Sequence, residues 1–189
     1  MGSILGGFSY YSNSQQLLES EISNSLLAIA ESRADHLETY VQQNIERLKL
    51  ITSRNKLRTT LNSYNLAPST EKKEVMETII LAAKESVNEI ERICVINPKG
   101  IVIASTNQTF CGKDISEKQF FIKGKEENVI HIITEEGKQK LFVTGPFMLE
   151  NEFLGVGITV VDLAYLERII NDRTGLGDTG EVLVAIPAE

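Results

Sequence analysis

The sequence predicts an α+β domain in which a long N-terminal helix leads into a five-stranded antiparallel sheet with flanking helices. Three observations carry that reading. Residues 13–64 contain neither Pro nor Gly and repeat their apolar side chains at helical spacing. The period shortens to that of a strand at Ile93, where two β-branched runs flank Asn97-Pro98-Lys99-Gly100. Three more strand-like runs then follow one another through short turns, the pattern of a meander.

In the first helix the apolar stripe runs through Leu18, Ile22, Leu26, Ile29, Leu37, Val41, Ile45, Leu48 and Ile51, with Glu, Gln, Asn, Arg and Lys on the other faces. A helix of that length spans roughly 75 Å at about 1.5 Å per residue. That exceeds the diameter of a domain it could pack on, so part of it must project, bend or pair with another copy. Asn65-Leu-Ala-Pro-Ser-Thr70 breaks it. Ser69 or Thr70, followed by Glu71, marks a new helix start with acid in the first turn. This second helix is expected to run to about Glu91, with Val75, Ile79, Ile80, Ala83, Val87 and Ile90 on one side.

From Ile93 to Ser105 the chain reads as a hairpin, Pro98 presetting the turn and Gly100 supplying positive φ. Ser116–Gly124 reads as a short helix carrying Phe120 and Phe121. Strands are expected over Val129–Thr134, Lys140–Met148 and Phe153–Val161, with Asp162 capping a last helix to about Asp172. The helices are expected on one face of the sheet. The tail from Arg173 is Gly-rich and then strand-like.

The chain has 189 residues, 42% of them hydrophobic and 24% charged, which suits one globular domain or a domain plus a piece of another. A net charge of −7 repels phosphate backbones, so nucleic acid is not an expected partner. No stretch reaches the length of apolar sequence needed to cross a bilayer. Residues 1–12 are short on charge and lack the basic region of a signal peptide, leaving two readings: a tag, or the outer end of a transmembrane segment. The two cysteines, Cys94 and Cys111, sit too far out of hairpin register for a bridge to be expected.

A catalytic role finds little support. His36 and His131 each lack a second metal ligand at suitable spacing, and Cys111 has no His beside it. Gly175-Leu-Gly-Asp-Thr-Gly180 has the spacing of a dinucleotide loop but opens a strand rather than a helix. Glu135 and Glu136 share a turn and suit solvent better than a paired acid and base. No cofactor and no metal are expected. What remains is a pocket: a cupped sheet covered by Phe120, Phe121 and the 111–116 loop, with Lys118, Lys123 or His131 as polar anchors. The bland alternative is that both phenylalanines fill the core and the lysines are solvated.

Several of these segments, taken in order, resemble the Cache family of PAS-like sensor domains. They are the hairpin Ile93–Ser105, Cys111-Gly-Lys-Asp-Ile115, Glu117-Lys-Gln-Phe-Phe-Ile-Lys-Gly124, Val143-Thr-Gly-Pro-Phe-Met148, and Phe153-Leu-Gly-Val-Gly-Ile158 closing on Asp162-Leu163. The resemblance covers roughly Gln15 to Leu183. It implies a non-catalytic, extracytoplasmic sensor of a histidine kinase, chemoreceptor or cyclic-dinucleotide enzyme. Residues 174–181 resemble the junction into the second repeat of the double-Cache form. The positions that grip amino acids in that family match Lys118, Phe120 and Phe121, with Lys in place of the bidentate Arg and no Asp in His131–Thr134 for an amino group. An α-amino acid is therefore a poor fit, while a small carboxylate, a more apolar ligand or none stay open.

The division that follows is 1–12 tag or membrane-segment end, 13–64 signalling helix, 65–172 PAS-like Cache sensor, and 173–189 linker and first strand of a second repeat. The expected function is small-molecule sensing by a membrane receptor, foremost a sensor histidine kinase, with candidate ligand-binding residues Lys118, Phe120, Phe121, His131 and Thr144. Expected partners are the small molecule, the membrane through flanking helices and a second copy through the N-terminal helix. The alternative is a structural or protein-interaction module with a pocket filled by its own side chains.

Overall fold

A computed structural model describes the backbone of residues 2–171 and the side chains of 17–164 and 166–168. Its elements in chain order are α1 Gly2–Thr52, α2 Asn55–Leu66, α3 Thr70–Glu85, β1 Ile90–Ile96, β2 Val102–Ser105, α4 Gln119–Gly124, β3 Val129–Glu135, β4 Lys138–Leu149, β5 Glu152–Asp162 and α5 Ala164–Asn171. A 3₁₀ turn, Gln108–Phe110, lies between β2 and α4. The strand expected after residue 180 lies outside the described residues. Residues 41–163 form one compact unit; of the other described residues, 2–40 group with 164–171.

The five strands pair antiparallel in the order β2-β1-β5-β4-β3. The hairpin turn forms as its residues dictate: the Asn97 carboxamide oxygen accepts from the backbone N–H of Lys99 and Ile101, both at 3.0 Å, and Gly100 takes a φ of 88°. The β3–β4 turn places Glu136 and Gly137 both at positive φ, the backbone that matches the twist of two-residue hairpins.

The first helix does not run unbroken to Tyr64. It stops at Thr52, Arg54 turns to extended backbone, and α2 begins at Asn55. Neither Gly nor Pro causes the bend. Tertiary packing does: the turn allows Leu57 and Leu61 to become fully buried together with Leu48 and Ile51. The next helix starts as expected, with Ser69 accepting from the N–H of Lys72, but ends at Glu85 rather than near Glu91. β1 therefore begins at Ile90, and Ile90–Arg92 belong to the sheet.

Helices also cover both faces of the sheet, not one. Adding a Cβ at Gly157 of β5 would bring it against Leu48 and Thr52 of α1. The neighbouring Val156 faces the other way, toward Gly124 of α4. Every β5 residue from Leu154 to Val161 is buried, as a central strand covered on both sides requires. The core on the α4 side comprises Cys94, Ile96, Val102, Phe121, Phe142, Val156, Ile158 and Val160.

In the other unit, α1 exposes Leu17, Leu18, Ile22, Leu26 and Leu27, each 44–63% accessible.

Gly155 tests this packing. Its φ is +143°, and an added Cβ would stand 2.0 Å from the Ile96 carbonyl oxygen. Gly155→Ala is expected to cost about 3 kcal/mol or more in a urea denaturation curve. Gly112→Ala, at φ +82° with nothing within 4 Å of the added carbon, should lose only the backbone term of about 1 kcal/mol.

Candidate ligand-binding site

Strand register sets a row of side chains across the concave face. Arg92 on β1 pairs with Val160 on β5, Val160 with Phe142 on β4, and Phe142 with His131 on β3. Over this face lies the chain from Asn107 to Lys118. It is held along β2 by hydrogen bonds from Val102 N–H to the Lys113 carbonyl and from Gly112 N–H to the Val102 carbonyl. Between sheet and cover is a cavity of about 430 Å³, within the range of small-molecule sites. Phe142, Ile158 and Val160 line its floor, Phe110 and Ile115 line its cover, and Phe120 of α4 adds to its wall.

One end of the cavity is charged. Arg92 is only 5% exposed. Its Nη2 donates to both carboxylate oxygens of Glu135, at 2.9 and 3.0 Å. Its guanidinium carbon stacks 3.6 Å from the centre of the Phe110 ring. Lys140 completes the cluster, donating to Glu91 at 2.7 Å and Glu135 at 3.3 Å. Lys113 places its ammonium 3.8 Å from the centre of the same Phe110 ring, and Lys118 also lines the cavity. The buried Nε of Arg92 has no hydrogen-bond partner among the described residues.

Of the five residues singled out by sequence, Lys118 and Phe120 line the cavity. Phe121 points into the core and is fully buried. His131 lies behind Phe120, edge-on at 6.4 Å between ring centroids. Thr144 is also fully buried, and its hydroxyl donates to the Phe120 carbonyl at 3.0 Å, tying α4 to β4. These three support the wall rather than form its surface. Sequence reasoning passed over Arg92 and Glu135. A signal existed for the first: an arginine inside Ile90-Glu-Arg-Ile-Cys-Val-Ile96 is the odd residue in an apolar strand. Glu135 was assigned to solvent as a turn residue, whereas it sits half-buried between two cations.

Both cysteines are free thiols. Burial pushes the Cys94 thiol up, and the same cause raises Cys111, so both stay protonated and poorly nucleophilic near neutral pH. No group of three or more His, Cys, Asp or Glu that could hold a metal occurs among the described residues.

No family model matches this sequence, and no curated protein matches it. Solved structures do match. The sensor domain of the histidine kinase DctB from V. cholerae superposes with a TM-score of 0.62 at 18% identity, over 79% of this chain and 61% of that one. The DcuS sensor domain of E. coli gives 0.57 at 17% identity, over 69% of this chain and 94% of that one. The ligand-binding domain of the Campylobacter jejuni chemoreceptor Tlp3, in complex with 4-methylisoleucine, gives 0.62 at 12% identity, over 80% and 62%. The chain thus spans 61% of the DctB structure and 62% of the Tlp3 structure. Its fold is that of these sensor and ligand-binding domains.

The hydrogen bond to Glu91, with further help from Glu135, holds the Lys140 ammonium above the usual lysine value. A raised folded-state pKa stabilises the fold fully below the unfolded pKa, about 10.4 for lysine, and that contribution fades as pH rises through the folded value. Lys140→Met should therefore cost about 1–3 kcal/mol near neutral pH. The gap between wild type and variant, read from chemical denaturation, should stay constant to about pH 10 and close above it.

Proposed function

We propose that this chain is the extracytoplasmic signal-sensing domain of a transmembrane receptor, a sensor histidine kinase, and that a small molecule in the cavity is its signal. The carrying observation is the cavity of about 430 Å³ with a charged end, set in a sensor fold. A module plugged by its own side chains would leave no such space. The neighbours bear on the reading through their own ligands: Tlp3 is seen with 4-methylisoleucine, and the amino acid chemoreceptor PctC of Pseudomonas aeruginosa with GABA.

The domain itself performs no chemistry on this reading. The chain would be the membrane-distal repeat of a double-Cache receptor, with residues 173–189 entering the second repeat. Its partial span of the DctB structure supports that division. Among the described residues, no helix is long and apolar enough to cross a membrane. The exposed leucines and isoleucine of α1 suit pairing with a second copy.

A route from cavity to helix is available. Arg92 lines the cavity on β1, and Glu89, just ahead of that strand, pairs with Arg47 of α1. A ligand that moves Arg92 would alter that link, by no more than its differential affinity for the two arrangements.

A thermal-melt screen of the 189-residue chain against amino acids, carboxylates, amines and nucleobases tests the reading. A dose-dependent rise is expected for one class, worth about 2.7 kcal/mol at a hundredfold excess over Kd. A screen flat across all classes counts against sensing by this cavity.

A further inference from the structure

We infer that the cavity takes a ligand with a single anionic head on an apolar body, an aryl or branched-alkyl monocarboxylate, and rejects the zwitterion of an amino acid. This rests on the sensing role proposed above and adds the chemistry of the signal.

The argument is one of unmatched charge. The lining holds three cations, Arg92, Lys113 and Lys118, and one carboxylate, Glu135. Glu135 is already committed, bonded to Arg92 through both oxygens and to Lys140 through one. Its single charge is already shared by two cations, which makes it a weak partner for a ligand ammonium, and releasing it would leave Arg92 buried and uncompensated. No other acid lines the cavity.

The cationic side has capacity to spare. The Arg92 guanidinium lines the cavity with both of its bonds to Glu135 made through Nη2, so a ligand carboxylate can add a charge-assisted hydrogen bond at the surface it presents there. Stacking on Phe110 holds the guanidinium plane, so the donor is fixed before the ligand arrives. Lys113 and Lys118 have no ion-pair partner among the described residues. Both are exposed, placed where they attract an anion to the mouth of the site.

The rest of the lining, Thr134 and Cys94 apart, is apolar and selects the body. Ile115, Phe120, Ile133, Phe142, Ile158 and Val160 offer hydrocarbon and ring faces with no donor or acceptor. A second carboxylate or a hydroxylated chain would lose its water there without a partner. An aryl or branched-alkyl group loses nothing.

Calorimetric titration of the 189-residue chain decides the matter. The probes are phenylacetate and 4-methylpentanoate, each set against its amide, its matching amino acid (phenylalanine or leucine) and phenethylamine. At least one carboxylate is expected to bind at least about tenfold more tightly than its amide, amino acid or amine counterpart, a gap of about 1.4 kcal/mol. Arg92→Lys, which keeps a cation for Glu135 while removing the planar guanidinium, should weaken that carboxylate by about tenfold and leave the amide unchanged. If Arg92→Lys lowers the melting temperature steeply, the double variant Lys113→Ala/Lys118→Ala at exposed positions serves instead, with a several-fold loss expected. An amino acid or amine binding as tightly as its carboxylate overturns the inference, as does an Arg92→Lys variant with undiminished carboxylate affinity. If both carboxylates fail while another class raises the melting point, the inference falls and the sensing role stands. If nothing in the wider screen binds, both fall together.

Discussion

A guanidinium buried to 5% exposure needs an answering charge, and the concave half of this sheet is arranged around giving Arg92 one. The answer comes from Glu135, at the far end of β3, although β5 and β4 lie between that strand and β1. For the two to meet, the sheet must curve and the β3–β4 turn must be tight. Glu136 and Gly137 provide the turn, both at positive φ. Phe110 covers the guanidinium face, which in turn requires the 107–118 segment to fold back over β2. The hollow under that segment is the cavity. Its shape and its charge thus share one origin.

That long-range character explains what sequence could and could not yield. The hairpin turn, the meander, the Ser69 cap and the short helix with Phe120, which starts at Gln119 rather than Ser116, were legible, because each is determined by residues within a few positions of itself. The start of β1 was not. Ile90-Glu-Arg92 carries charges and a spacing that extend the preceding helix on paper, and pairing with β5 decides otherwise. Likewise the bend at Ser53–Arg54 bears no Gly or Pro. It exists because Leu57 and Leu61 bury better in a second helix than in a continuation of the first. Arg92 and Glu135 are 43 residues apart, and neither announces the other. Coverage of both faces was legible in principle: Leu154 to Val161 is nearly continuous in apolar and small residues, the mark of a strand with no wet side.

Thr144 shows how a candidate residue can matter without touching a ligand. Its hydroxyl grips the Phe120 carbonyl, and Gly124 of the same helix approaches its side chain so closely that an added Cβ would stand 2.8 Å from Oγ1. The α4 helix is only six residues long, too short to persist by itself. It is held in place by the sheet. The position of Phe120, and with it part of the cavity wall, is therefore inherited from β4.

The two edges of the sheet are treated differently. The backbone along β2 is engaged by the returning 112–115 segment, through Gly112, Lys113 and the isolated Ile101–Asp114 bridge. At the opposite edge β3 pairs with β4 alone among the described strands, and Ile130 and Ile132 on its outer side are each 38% exposed. A terminal strand of alternating β-branched residues, free of Pro and of bulges, is a template for adding another strand. The fold is thus self-sealing on the side that shelters the cavity and adhesive on the other. When the chain is concentrated or partly unfolded, β3 is where unwanted growth of the sheet would begin.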